Sequence, residues 1–459
     1  MTPTSQKQRI AIIGGGVSGL SAAYYLEDAA DVEVTLYERD DRLGGHAVTL
    51  DAKTPDGKPY AVDPVVYLFL PERYPYFTEW LSQLGVATRP LEFDSYLWDG
   101  HFGHGTHLTA NFKKILRTQC KSVRYFRNLY YMLQIVRTIK KLDREGKLHA
   151  RMTMGEFIAQ VPSIDARFVD EVFYPLLHLA FHASQDEMPN LPVSSFLPTW
   201  ASAADGTSTF YVVDGGVRNY VETVRKSLVA TKVKTGADVV ALSHTSEGWQ
   251  VTDAKGQCES YDQVILAIWP NQVAEILKRG LEQNTAIRPH LEATVDTLAK
   301  VELAHCRAVL HNDAGLMPPD RNAWPTYAYK NIPYLKTGLS TIWSGQLDQA
   351  EVFTSFDWSM DMADLTDART ATQPRGPIHG VHLHSRTPPR QALYDARAYV
   401  QAKQGEHGLW FTGSYLRETC FHEDGLAASL EVLKRLRPDH ATLGRLGKLL
   451  GKIPTPWRE

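Results

Sequence analysis

The sequence predicts an α/β fold, and three observations predict it. A short apolar strand at residues 9–13 runs into Gly14-Gly15-Gly16-Val17-Ser18-Gly19 and then a helix to about residue 27. A second strand, alternating in polarity over 31–37, ends on Glu38. Strand-like runs return far downstream, at 233–252, 260–269 and 409–412, each bounded by glycine or proline.

The first block is a strand–loop–helix–strand unit, and each glycine in its loop has a physical task. Gly14 permits the tight turn out of the strand. Gly16 lets the backbone approach a pyrophosphate, and Gly19 lets the helix pack closely on the strand. Val17 and Ser18 open the helix, whose free N–H groups and dipole favour phosphate. Glu38 lies 19 residues after Gly19, where a carboxylate accepts hydrogen bonds from ribose hydroxyls and disfavours a 2′-phosphate. The block therefore predicts a Rossmann-type dinucleotide site.

The 459 residues exceed one ordinary core. Residues 1–70, 205–270 and 395–440 read as one discontinuous nucleotide-binding domain. Residues 71–204 and 271–394 read as an inserted mixed α+β substrate domain, and 441–459 as a basic tail. Hydrophobic content of 43% and charged content of 22% are ordinary for a globular chain, and a net charge of −3 names no partner. Cys120, Cys258, Cys306 and Cys420 show no CxxC spacing, which argues against a disulfide framework and a zinc site. No apolar targeting core precedes the first strand, and no run approaches the ~20 residues of a spanning helix. A cytoplasmic protein is the expectation, with peripheral contact at the inner membrane face left open.

Glu38-Arg39-Asp40-Asp41-Arg42-Leu43-Gly44-Gly45 resembles the signature of the flavin-dependent family of amine oxidases, protoporphyrinogen oxidases and phytoene desaturases. The resemblance implies FAD, with Arg42 facing its phosphates and Gly44 and Gly45, beside Arg39 and His46, passing close to the flavin. The run 237–242 resembles the family's internal strand, where Val239 meets the adenine. Phe411-Thr412-Gly413-Ser414 and Glu423-Asp424-Gly425-Leu426 resemble its closing motif. There Asp424, Gly425 and Leu426 sit at a helix N-terminus aimed at the flavin. Cys420 does not match the family's attachment motif, so FAD is expected to be non-covalent. One Gly-x-Gly-x-x-Gly, with no second dinucleotide site, implies that the substrate reduces the flavin and that oxygen or a quinone reoxidises it, unless the reaction is a redox-neutral isomerisation.

A closer resemblance, spanning the chain, is to bacterial FAD-binding proteins often encoded beside cyclopropane-fatty-acid synthases. It is carried by Gly44-Gly45-His46, Tyr74-Pro75-Tyr76-Phe77, Gly215-Gly216-Val217-Arg218, Arg307-Ala308-Val309-Leu310-His311 and Phe421-His422-Glu423-Asp424. It implies desaturase-like or isomerase-like chemistry on a fatty-acyl chain or acyl lipid. Two segments depart from that branch, Asp63-Pro64-Val65-Val66 and Phe181-His182-Ala183-Ser184, both expected near the substrate.

His178 and His182 share a helical face four residues apart, and with His311 and His422 they are candidates for the pocket. The i, i+4 pair lacks further ligands, so no metal is expected. Residues 111–147 are basic with apolar residues at helical spacing, which leaves a peripheral membrane contact or an ordinary solvated helix. No nucleic-acid module accompanies the charge. An FAD-dependent amine oxidase and a non-catalytic FAD-bound scaffold are the alternative functions.

Overall fold

The computed structural model describes residues 7–65, 68–98, 106–108, 113–114, 123–148, 152–181, 187–193, 209–282, 287–332, 337–357, 374, 376–388, 390–417 and 420–438. His182, Asn111, Arg117, Lys121 and the tail 441–459 lie outside the described residues.

Five parallel strands form the first sheet, in the order Leu409–Phe411, Gln263–Leu266, Gln8–Ile13, Val32–Tyr37, Lys232–Lys234. Both faces are covered in the middle of the sheet, where Ile10–Ile13, Val264–Leu266 and Leu409–Phe411 are continuously apolar. Alternate side chains of the first strand go to opposite cores. Ile10 and Ile12 pack with Leu20, Ala23, Leu426 and Leu430 of helices Val17–Leu26 and His422–Leu436. Ala11 and Ile13 pack with Trp249, Val251 and Leu277 on the other side.

The run 233–252, expected as one strand, divides. Lys232–Lys234 joins the parallel sheet, while Val239–Thr245 and Gly248–Asp253 form an antiparallel hairpin in a separate three-stranded sheet with Cys258–Tyr261. Gly248, at φ +105°, makes the reversal that apolar periodicity does not reveal. Two pieces of the expected insert also pack on the parallel-sheet side. Tyr76, Phe77 and Trp80 of helix Pro75–Gln83 join the Ile10 core. Val273 and Leu277 of helix Pro270–Leu281 join the Ala11 core.

A seven-stranded sheet runs Ile378–Arg386, Ala304–His311, Phe353–Asp357, Thr337–Ile342, Tyr327–Ile332, Ser95–Trp98, Thr106–Leu108. Its pairs are antiparallel except Tyr327–Ile332 with Ser95–Trp98. Tyr327, Ile342 and Phe356 pack with Met132 and Ile135 of the long helix Val123–Arg144 and with Phe157, Phe173 and Leu177. Among the described residues no helix is long and apolar enough to cross a membrane.

Candidate functional site

Residues from the parallel sheet, the seven-stranded sheet and the long helix line one cavity of about 1740 Å³. Typical small-ligand pockets hold about 300–1,000 Å³, so there is room for a large cofactor together with a substrate. At one end lie Gly14, Gly16, Val17, Ser18, Glu38, Arg39, Arg42, Gly44, Gly45, His46, Val239, Gly413, Ser414 and His422. Gly19, Asp424, Gly425 and Leu426 stand behind that lining and support it.

The glycines fit a phosphate cradle. Gly14 has φ +107°, and a Cβ there would stand 2.5 Å from the Ala267 carbonyl oxygen. At Gly19 a Cβ would stand 1.8 Å from the Gly14 oxygen, so helix and loop touch backbone to backbone. At Gly16 a Cβ would meet no protein atom within 4 Å, which leaves its backbone open to a phosphate at the helix N-terminus. Gly44 donates its N–H to the Gly15 carbonyl at 2.8 Å. A Cβ on Gly45 would come within 3.1 Å of the Gly16 Cα. The Gly44-Gly45 segment therefore lies directly over the phosphate loop, and its positive φ values, +110° and +57°, suit glycine.

Glu38 accepts the Gly15 N–H at 2.7 Å on one oxygen and the Asp40 N–H at 2.8 Å on the other. It thus shapes the loop as well as facing the cavity. Burial raises its pKa, while these two bonds pull it down. Arg42 donates to the Gly45 carbonyl at 3.1 Å. Arg39 is exposed and lies 3.7 Å from Asp40. The Ser18 hydroxyl donates to the Gly425 carbonyl at 2.9 Å and joins the first and closing helices across 407 positions. A Cβ on Gly425 would meet Val17 at 2.7 Å. Asp424 lies 3.7 Å from Arg417, and Leu426 is fully buried. Two helix N-termini therefore flank this end of the cavity, as an anionic dinucleotide and a reduced flavin require. The loop around Val217 is held by Asp63, which accepts its N–H at 2.9 Å and the Thr49 hydroxyl at 2.6 Å. Val65 of the same departing segment lines the cavity, and Val66 lies outside the described residues.

The histidines are redistributed. His311 is fully buried but away from the cavity lining. Its Nδ1 accepts the Asp313 N–H at 3.0 Å, so its Nε2 carries the proton and donates to the Ser355 hydroxyl at 2.9 Å. It is a satisfied core histidine, a correction to its place among the pocket candidates. His178 falls in helix Tyr174–Phe181, with its side chain outside the described residues. His422 does line the cavity, with its Nε2 2.6 Å from the Tyr220 hydroxyl.

Sequence reading missed His305, His382, His384 and Trp269, which also line the cavity. The His46 ring lies 4.5 Å from that of His384, 6.0 Å from that of His382 and 5.7 Å from that of Trp269. Burial first, then His382 and Arg42, pushes His46 down to about 4. Burial and Arg42 push His382 down to about 4, and burial with His46 pushes His422 down to about 3. These imidazoles are neutral at physiological pH and offer hydrogen bonds without fixed charge. The alternation His382-Leu383-His384 on a strand was the available signal, since it places both rings on one face. Among the described residues no group of three His, Cys, Asp or Glu side chains is arranged to hold a metal.

Further along, the wall turns apolar: Tyr125, Leu129, Met132, Leu133 and Val136 of the long helix face Leu176, Ile342 and Phe356.

Comparison with known proteins agrees with this geometry. The chain is 26% identical over 296 residues to coproporphyrinogen III oxidase of Mycobacterium leprae, covering 58% of this chain and 61% of that protein. It is 27% identical over 191 residues to carotenoid phi-ring synthase of Streptomyces griseus, covering 39% and 34%. The matches thus span less than two thirds of these relatives' length. Among solved structures, a fatty acid isomerase from P. acnes that produces CLA superposes with a TM-score of 0.63 at 15% identity, covering 94% of this chain and 99% of that one. Reduced UDP-galactopyranose mutase gives 0.61 at 13%, covering 97% and 98%. At such identities these likenesses show the fold. The family model described as flavin containing amine oxidoreductase matches residues 17–370, most of the chain. The chain belongs to the family of flavin containing amine oxidoreductases.

Proposed function

We propose that this enzyme removes hydride from a C–H bond of an apolar substrate, a fatty-acyl chain or acyl lipid, in a desaturase-like or isomerase-like reaction. The observation that carries the reading is the continuity of one cavity from the phosphate loop to a wall of Leu129, Met132, Val136, Ile342 and Phe356. Each buried methylene contributes about 0.8 kcal/mol, so such a wall holds a long chain without a charged anchor. A carotenoid 3,4-desaturase among the relatives and the fatty acid isomerase among the fold neighbours, both named for lipophilic substrates, support it. A small, closed, polar chamber would have favoured an amine.

FAD, held non-covalently, supplies a two-electron hydride acceptor. The chain's own residues do the rest. The two helix N-termini and the glycine loop would hold the pyrophosphate end, and Glu38 would hold the ribose. The apolar wall excludes water and aligns the chain. The neutral histidines His46, His382 and His422 offer donors and acceptors where the polar and apolar ends meet. A desaturation would release the second hydrogen as a proton and would need oxygen or a quinone as final electron acceptor, whereas an isomerisation would need no external acceptor. Anaerobic mixing of the holoenzyme with fatty acids and phospholipids in micelles, and with amines, tests this. The acyl compounds are expected to bleach the oxidised-flavin absorbance or to emerge with a new or shifted double bond. Bleaching by an amine, with the acyl compounds inert, would overturn the reading. Acid precipitation of the same holoenzyme is expected to release the flavin into solution.

A further inference from the structure

We propose that the long helix Val123–Arg144 docks the enzyme on an anionic phospholipid bilayer, and that substrate passes into the cavity directly from that bilayer; the inference rests on the acyl-chain reading above. The helix buries Tyr125, Met132, Ile135, Ile139 and Leu142 on one side. Its opposite side is not polar throughout. Val123, Phe126, Tyr130 and Leu133 recur at spacings of three and four, which places them in one stripe. Val123 is 85% exposed, Phe126 59% and Leu133 48%. Single exposed apolar residues are normal on a soluble surface, whereas a contiguous row of large ones marks an interaction site.

Charge chooses the partner. The helix carries six Lys and Arg residues against one Asp, and Arg127, Arg137, Lys140, Lys141 and Arg144 are exposed. Its exposed face is thus mainly apolar in the first half and basic in the second. A second copy of this surface would bring two cationic faces together. An anionic bilayer takes the apolar stripe into its acyl boundary and the cations into its head groups. Geometry then gives the docking a purpose. Leu129 and Leu133 are exposed and also line the cavity, and Tyr125, Met132 and Val136 continue the lining. The apolar surface therefore runs unbroken from the outside of the helix into the cavity, and an acyl chain following it need not cross water.

The test is flotation of the holoenzyme with vesicles of phosphatidylglycerol and phosphatidylcholine, and with phosphatidylcholine alone. Binding to the anionic vesicles is expected, and it weakens as salt rises. Val123 and Phe126 do not line the cavity, so Val123→Glu with Phe126→Glu is expected to weaken binding by about tenfold or more. FAD content and melting temperature stay unchanged in that variant. It bleaches more slowly with substrate presented in vesicles and at the wild-type rate with the same substrate in detergent micelles. Arg137→Gln with Lys141→Gln weakens binding chiefly at low salt. Absence of wild-type binding, or binding indifferent to the glutamates, would overturn the proposal, as would a dimer that Phe126→Glu dissociates. Failure to bind vesicles while micellar substrate still bleaches the flavin would remove the docking alone. Inert micellar substrate would remove the acyl-chain reading itself.

Discussion

The two large sheets build the two ends of one cavity by different means. In the five-stranded parallel sheet, strand ends deliver the chain straight into helix N-termini, and residues 14–19, 38–46, 413–417 and 420–425 supply the lining and its support in short runs. In the seven-stranded sheet, His305, Tyr327, Ile342, Phe356, His382 and His384 come from five different strands. The first end is specified by backbone, through places where a methyl group cannot fit. The second is specified by side chains on strand faces. One methyl should therefore wreck the first end, whereas the second should tolerate exchange of a side chain at the cost of substrate handling.

Gly19→Ala gives the largest expected effect. Its Cβ would stand 1.8 Å from the Gly14 oxygen, a backbone atom with nowhere to move. Overpacking of this kind costs about 1–3 kcal/mol and sometimes more, so thermal melting should show a clear loss of stability and purification should yield little bound FAD. Gly16→Ala is the sharper half of the comparison. Gly16 sits at φ −73°, which alanine adopts, and its Cβ position meets no protein atom. The apoprotein should melt as wild type does while FAD affinity falls. Equal FAD content in Gly16→Ala and wild type would show that no phosphate approaches this backbone.

Glu38→Ala is expected to weaken FAD by about 1.5–3 kcal/mol, roughly ten- to a hundredfold in Kd, through lost charge-assisted bonds. The structure adds a second cause, because the same carboxylate fixes the Gly15 and Asp40 amides. Glu38→Gln separates the causes. Its single amide oxygen can keep one of those N–H bonds, so a loss close to that of alanine would assign Glu38 to the loop and the ribose together. Titration of apoprotein with FAD, followed by flavin fluorescence, measures both variants.

Legibility in the sequence followed this division. The phosphate loop, Glu38 and the 42–46 run were readable because their constraints are local: a glycine is needed where strand, loop and helix meet within a few residues. Parallel pairing of the first two strands was implied by the same unit, since a strand–helix–strand crossover requires it. His382 and His384 were not readable as partners of His46, because the strand that carries them reaches that ring only through pairing with Ala304–His311. His311 looked as eligible as His422 in one dimension, and only the Ser355 and Asp313 contacts show that its polar atoms are already used. The helix Pro75–Gln83 was assigned to the insert by its aromatic content, yet those aromatics pack on the first helix and the closing helix. Composition says that a residue will be buried but not in which core.

Glu423 ties that helix to the cofactor end, and its effect falls on stability as a pH dependence and not on FAD. It stands in the first turn of His422–Leu436 and accepts the Tyr76 N–H at 3.0 Å and the Phe77 N–H at 2.9 Å, first-turn amides of Pro75–Gln83. Burial pushes its pKa from the ordinary 4.5 up to about 8, with Asp424 adding to the rise and the two amide bonds opposing it. An acid whose folded pKa is raised keeps its proton in the native state after the unfolded chain has lost it. Its contribution is therefore most favourable below about 4.5 and declines as pH climbs toward about 8, by at most about 1.4 kcal/mol per pH unit. Glu423→Gln keeps an acceptor for the amides and cannot titrate. Across that window the wild-type melting temperature should fall relative to the variant, and above it the difference should level off. A pH-independent difference would mean that the amides and the two helix termini hold the carboxylate ionised throughout, and that the junction between the helices is an ion–dipole contact instead of a protonated one.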